Sequence, residues 1–311
     1  MNVVAENHVS TLTNAGSCPR CSYVFPPIWE AAPVYFERGH VTCSKCQGLA
    51  DLWDVVLSRT LTQPPIPMSL IGLGATRTCF MHQIEAGKYH EINLATVGIP
   101  TDATVLQVGY TPQGGPDGGA VFPIELHGNV PQRRIVDNVL RLLGRALVSG
   151  DGTVGTVNPV SIWVVWLRQD DEGGWPFIGS AFEAFISGHY DRVIVPAQSA
   201  VEVSLMPLIR ELLERHASAG HVNNFMGDRL TFGNVINVVL PFMWGQARIP
   251  KLPEKIRTSL NKLRKLRNAI VHSGTGGNKI ASQQAGEGLC AAVFAFEYVR
   301  YARPKLRAWL A

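Results

Sequence analysis

The sequence predicts a multidomain α+β chain of three zones, and three observations carry that prediction. Two Cys-x-x-Cys pairs fall within residues 1–60. Short runs of β-branched and aromatic residues, separated by Gly- and Pro-rich turns, fill residues 61–172. From residue 173 to residue 311 the apolar residues recur at helical spacing instead. A chain of 311 residues is long enough for two or three domains with cores of their own. Its 46% hydrophobic and 17% charged content excludes an intrinsically disordered protein.

In the first zone, Cys18-Pro-Arg-Cys21 and Cys43-Ser-Lys-Cys46 form C-x2-C-x21-C-x2-C. Two intervening residues let both thiolates of a knuckle reach one tetrahedral ion, and the second knuckle closes the site. The pattern resembles a zinc ribbon, with Cys18, Cys21, Cys43 and Cys46 as the ligands of a structural Zn²⁺. Four thiolates leave no open position on the metal, so no catalytic role is expected for it. His40 is a substitute ligand that the four cysteines make unnecessary, and a redox role lacks the βαβ context it needs. Cys79 and Cys290 stand alone in apolar surroundings and read as core residues.

The stretch TQPPIPMSLIGLGATRT reads as a linker into the second zone. There CFMHQI and YHEINL flank Glu85-Ala86-Gly87-Lys88 as a hairpin, and ATVLQVGY, AVFPIELH and SIWVVWL supply further strands. RRIVDNVLRLLGRALV fits either a helix or a strand pair. Five or more strands predict a small sandwich or barrel. Within it, His82 and His90 read as cross-strand surface residues and His127 as a turn residue. Trp163 and Trp166 point to opposite faces of one strand. Gly72-Leu73-Gly74-Ala75-Thr76 lacks the third glycine of a nucleotide loop.

The third zone predicts a bundle of four or five helices, with Pro196 and Pro207 kinking or restarting the second of them. PEKIRTSLNKLRKLRNAIVH places Ile256, Leu260, Leu263, Arg267 and Ile270 near one face, Pro253 in the first turn and Gly274 after the end. Charge is concentrated here. Residues 248–311 hold 13 Lys/Arg against 3 Asp/Glu, a net of +10, while the preceding residues hold 15 against 21, a net of −6. Such a segment is either a solvated helix face or a surface for a polyanion, with Lys262, Arg264 and Lys265 as phosphate-binding candidates.

That helix ends in RNAIVH. Asn268 and His272 lie four residues apart, about 40° around a helix, whereas Arg267 stands about 140° from His272. A histidine moves protons at neutral pH, a guanidinium stabilises a pentacoordinate phosphorane, and an asparagine orients either one. Together they suffice for RNA cleavage by the substrate's own 2′-OH, without a catalytic metal.

Arg267, Asn268 and His272, preceded by LNKLRKL and followed by Ser-Gly, resemble the R-x4-6-H motif of the HEPN ribonuclease superfamily. The resemblance covers roughly residues 175–311 and implies a HEPN-type helical bundle. It implies a metal-independent endoribonuclease acting in a toxin or antiviral-defence system. It implies a homodimer whose paired motif helices relieve the awkward angle of Arg267, and a regulatory partner or antitoxin. AQSAVEVSL looks like an early helix of such domains, with Glu202 as a supporting acid. Some members with this fold are non-catalytic, so the alternative is a nucleic-acid- or protein-binding module.

No apolar run approaches the roughly 20 residues that span a bilayer, so no membrane association is expected. The start, MNVVAENHVSTLTNAG, lacks the basic and apolar regions of a signal peptide, so a cytoplasmic location is expected.

Overall fold

The computed structural model describes residues 9–62, 70–113, 121–125, 138–146, 155–167, 174–273 and 280–310. His127, residues 133–137 and the Gly274 helix stop lie outside them. The protein is mixed α+β and packs as two compact units, Met1–Thr13 with Ala75–Gln169 and Asn14–Gly74 with Asp170–Ala311. The division differs from the three expected zones. The cysteine-bearing segment belongs to the helical unit, and the β unit is inserted into that unit along the chain.

The β unit contains two antiparallel sheets. One has the order β1 (Ser10–Leu12), β4 (Thr76–Glu85), β9 (Val157–Leu167), β6 (Thr104–Pro112), and the other β5 (Tyr89–Asn93), β8 (Val139–Ala146), β7 (Val121–Glu125). Alternate residues of both sheets, among them Phe80, Ile84, Ile162, Val164, Ile92, Leu140 and Val121, form one buried cluster. The described part of the ambiguous RRIVDNVLRLLGRALV segment is strand β8. Trp166 is buried and its indole N–H donates to Thr78 Oγ1 at 3.0 Å, while Trp163 lies on the opposite, half-exposed face, as expected.

Two expectations fail in this unit. β4 and β5 do not form a hairpin, because β4 pairs with β9 over ten residues and β5 pairs with β8. The turn through Gly87, at φ +83°, carries the chain from one sheet to the other. Gly144 of β8 permits that crossing, since a Cβ there would lie 2.2 Å from the Glu85 carbonyl oxygen. Nor are His82 and His90 surface residues. Their half-buried rings meet edge to face at 5.7 Å, and His90 Nε2 accepts the Glu85 backbone N–H at 3.0 Å.

The helical unit is organised around its last helix, α9 (Ser282–Leu310), which is buried on every side from Leu289 to Val299. Against it pack α1 (Ile28–Arg38), α2 (Leu52–Thr62), α3 (Trp175–Ile186), α4 (Asp191–Glu214) and α8 (Glu254–Ser273). Aromatic pairs mark the seams. Phe294 meets Tyr35 and Trp53 edge-on at 6.0 and 5.4 Å, and Phe36 meets Tyr298 at 5.0 Å. Between α4 and α8 the chain forms α5 (Ala219–Asn224), α6 (Phe232–Asn234), a π-helical turn (Val235–Val239) and α7 (Leu240–Gln246).

Pro196 and Pro207 lie inside one uninterrupted α4 rather than dividing it. By length and composition α4 could cross a bilayer, yet Val193, Ile194, Ala197, Val201, Leu205 and Leu208 are buried within the unit, as in a core helix. The supposed linker also ends in structure. Leu70, Ile71 and Leu73 are fully buried, and Gly74, at φ +99°, closes the short 3₁₀ turn Ile71–Leu73.

Candidate functional site

The two cysteine knuckles are one turn used twice. Cys18 N–H donates to the Tyr23 carbonyl and Ser22 N–H to the Cys18 carbonyl; Cys43 N–H donates to Gly48 and Gln47 N–H to Cys43. Ser22 and Gln47, at equivalent positions, both adopt positive φ, 58° and 57°. The short strands β2 (Val41–Thr42) and β3 (Leu49–Ala50) support the second knuckle. This repeat brings the four Sγ atoms within 4.8 Å of one another, a cluster able to hold a metal ion. All four cysteines are free of disulfides.

Protonation is unequal across the cluster. The Cys46 backbone N–H outweighs burial and holds the Cys43 thiol down to about 7. At Cys21 the Tyr23 N–H favours the thiolate, but burial and the neighbouring sulfurs prevail and push its pKa up to about 12. Four adjacent thiols resist ionising together unless a cation lies among them.

The knuckles are tied into the helical unit. Asp51, just ahead of α2, accepts the Tyr35 hydroxyl at 2.9 Å and lies 2.8 Å from Lys255 Nζ in the first turn of α8. Lys255 also pairs with Asp54 at 2.7 Å. The base of the basic helix is therefore clamped to the segment that follows the second knuckle.

At the far end of α8, Arg267 and Asn268 are half-buried and His272 is exposed. Arg267 Nη1 donates to Asn268 Oδ1 at 3.3 Å, so the guanidinium bends off the apolar stripe toward the flank that carries Asn268 and His272. His272 makes no hydrogen bond to either residue among the described contacts, and Val271 beside it is 50% exposed. Glu202 of α4 accepts from Gln198 Nε2 at 3.0 Å, one turn earlier on its own helix, and is not hydrogen-bonded to Arg267, Asn268 or His272.

The three basic candidates have different surroundings. Lys262 pairs with Glu287 of α9 at 2.8 Å. Arg264 is half-buried over Gly233, where a Cβ would lie 2.7 Å from its Nη1. Lys265 is exposed and has no ion pair among the described residues. Next to it a cavity of about 280 Å³ opens between α8 and α9, floored by Leu263 and Leu266 and rimmed by Lys262, Lys265, Gln284 and Glu287. Burial raises the Glu287 pKa, but hydrogen bonds from Lys262 and Ser259 outweigh that and hold it below the ordinary carboxylate range.

Gln284 and Glu287 had no signal in the sequence beyond their place in a polar first turn, SQQAGEG, ahead of an apolar helix. The partners of Glu287 in α8, Ser259 and Lys262, lie more than twenty residues away. No protein-family model matches the chain, and no curated protein or solved structure is significantly similar to it.

Proposed function

We propose that the protein is a metal-independent endoribonuclease of HEPN type, acting as a toxin or antiviral-defence effector in the cytoplasm. The observation that carries the proposal is the Arg267–Asn268 hydrogen bond, which turns the guanidinium toward the flank of α8 that holds His272. In this reading the RNA 2′-OH attacks the adjacent phosphorus. His272 transfers protons as general acid and base, Arg267 stabilises the phosphorane, and Asn268 fixes the guanidinium plane. The P–O5′ bond breaks, His272 protonates the leaving 5′-oxygen, and the products are a 2′,3′-cyclic phosphate and a 5′-hydroxyl end. A second subunit contributes its own motif across the exposed Val271, giving a homodimer through the helical unit. A regulatory partner or antitoxin restrains the activity.

The cysteine cluster takes a structural Zn²⁺. Tetrahedral zinc with Zn–S bonds of about 2.3 Å sets its sulfurs about 3.8 Å apart. The Cys18–Cys46 and Cys21–Cys43 separations of 3.7 and 3.6 Å fit that edge. When bound, the ion supplies folding energy and neutralises thiolate charge, and catalysis remains with the α8 residues.

Purified zinc-loaded protein incubated with cellular RNA in Mg²⁺-free buffer without chelator tests the proposal. Cleavage should leave cyclic phosphate ends and vanish in both His272→Ala and Arg267→Ala. Cleavage that survives both substitutions, or that requires Mg²⁺, rejects it. The second reading, a binding module without turnover, is favoured by the exposed Lys265 beside the cavity, and it predicts salt-dependent RNA binding with no product.

A further inference from the structure

We infer that the cavity between α8 and α9 is a binding site for a nucleoside monophosphate unit, presented by RNA or free in solution; its RNA arm rests on the nuclease proposal. At about 280 Å³ it lies just under the usual range of ligand pockets, about 300–1,000 Å³, a size suited to one nucleotide unit. Its floor, Leu263 and Leu266, is apolar. Gly288 of α9 lets Leu263 pack close against that helix, since a Cβ there would lie 3.0 Å from Leu263 Cδ1. A planar base suits such a floor better than a hydrated ion does.

The rim supplies complementary polar groups. Lys265, which has no ion pair among the described residues, lines the cavity and is placed for a phosphate. Gln284 uses Oε1 to accept the Ala281 N–H at 3.0 Å, which leaves its amide hydrogens as donors. Glu287 receives both Ser259 and Lys262 on Oε1, at 2.7 and 2.8 Å, and keeps Oε2 as an acceptor. A carboxylate oxygen at the edge of a base slot accepts from an exocyclic amine. Uracil offers its N3–H to the same oxygen, so the rim accepts any of the four bases. A fatty acid would leave these rim groups without partners, and inorganic phosphate would leave the floor uncovered.

Calorimetric titration of the full chain with AMP, CMP, UMP, inorganic phosphate and a 2′-O-methyl RNA hexamer tests the inference, the last being immune to cleavage by its own 2′-OH. AMP, CMP and UMP should each bind more tightly than inorganic phosphate. Leu266→Trp, which fills the cavity, and Lys265→Glu, at an exposed position that does not threaten folding, should each weaken AMP by about tenfold or more. Unchanged AMP affinity in Lys265→Glu and in a folded Leu266→Trp overturns the site, as does equal binding of phosphate and AMP. Hexamer binding that follows the same variants identifies RNA as the source, and mononucleotide binding alone identifies a free nucleotide. His272→Ala, run in parallel, should bind AMP normally. Loss of the pocket with cleavage intact thus rejects only this inference, and nucleotide binding without cleavage in the wild type rejects only the nuclease.

Discussion

The β unit buries its apolar residues by alternation, whereas the helical unit buries them around one axis. In β4, Phe80 and Ile84 point into the shared cluster while Gln83 is exposed, and each strand contributes its own face in this way. In the helical unit, α9 is buried on all sides from Leu289 to Val299 by helices drawn from both ends of the chain, α1 and α2 from residues 28–62 and α3, α4 and α8 from beyond residue 174. The difference locates the chemistry. The clustered cysteines, the Arg-Asn-His triplet and the cavity all belong to the helical unit. The cysteine knuckles, far from the motif in sequence, serve as one of its supports.

Removing the proposed Zn²⁺ gives the largest expected effect and tests that integration directly. Chelation, or Cys43→Ser, should destabilise the helical unit by on the order of 5–10 kcal/mol, because the four converging thiols would lose the ion proposed to join them. Hydrogen exchange read by mass spectrometry should show protection lost in α1, α2 and α9 while β4 and β9 keep theirs. Equal loss in both units, or loss in neither, breaks the contrast.

His272→Ala should separate chemistry from scaffold within the helical unit. Loss of a general acid and base costs about 10²–10⁴-fold in cleavage rate. The side chain is exposed, so thermal stability should stay within about 0.5 kcal/mol of wild type. A melting temperature that falls along with activity would make His272 part of the packing and remove it from the mechanism.

What the sequence revealed follows the same division. Strand and helix periods are local, so β4, β6, β9, α3, α4 and α8 could be anticipated from their own residues. The C-x2-C spacing is equally local, and the four sulfurs do converge. The failures concern pairing at a distance. Nothing in CFMHQI tells it to pair with residues near 160 instead of the nearby YHEINL; the decision rests with Gly144, more than fifty residues on. Ser10–Leu12 joins β4 from beyond the cysteines, so a zone drawn as 1–60 mixes two units. At the motif, helical geometry set Arg267 out of line with His272, and only its hydrogen bond to Asn268 reveals how the side chain turns. The cavity depends on the register of α8 against α9, which no single helix encodes.

A smaller effect tests the clamp at the base of α8. Lys255 is half-exposed and pairs with Asp51 and Asp54, whose side chains are 30% and 59% exposed. Lys255→Ala should therefore cost no more than about 1 kcal/mol by urea denaturation. The loss should shrink in 1 M salt, where charges are screened. A larger cost that persists in salt would mean that the lysine stem, not its charge, joins the knuckle segment to α8.

The smallest expected effect belongs to the β unit and has the opposite character, a charge kept out instead of a charge paired. Burial, and then the neighbouring His90, hold the His82 pKa below its ordinary value. A group depressed in the folded state leaves stability intact above its unfolded pKa, about 6.5, and removes it as pH falls through the folded value. Between pH 7 and pH 5 the unfolded chain binds the His82 proton more readily, so the β unit should lose less than about 1 kcal/mol there. His82→Gln should flatten that slope without altering the helical unit, measured as melting temperature against pH in the two proteins. Parallel slopes would show that His82 takes up its proton inside the β unit as easily as outside it.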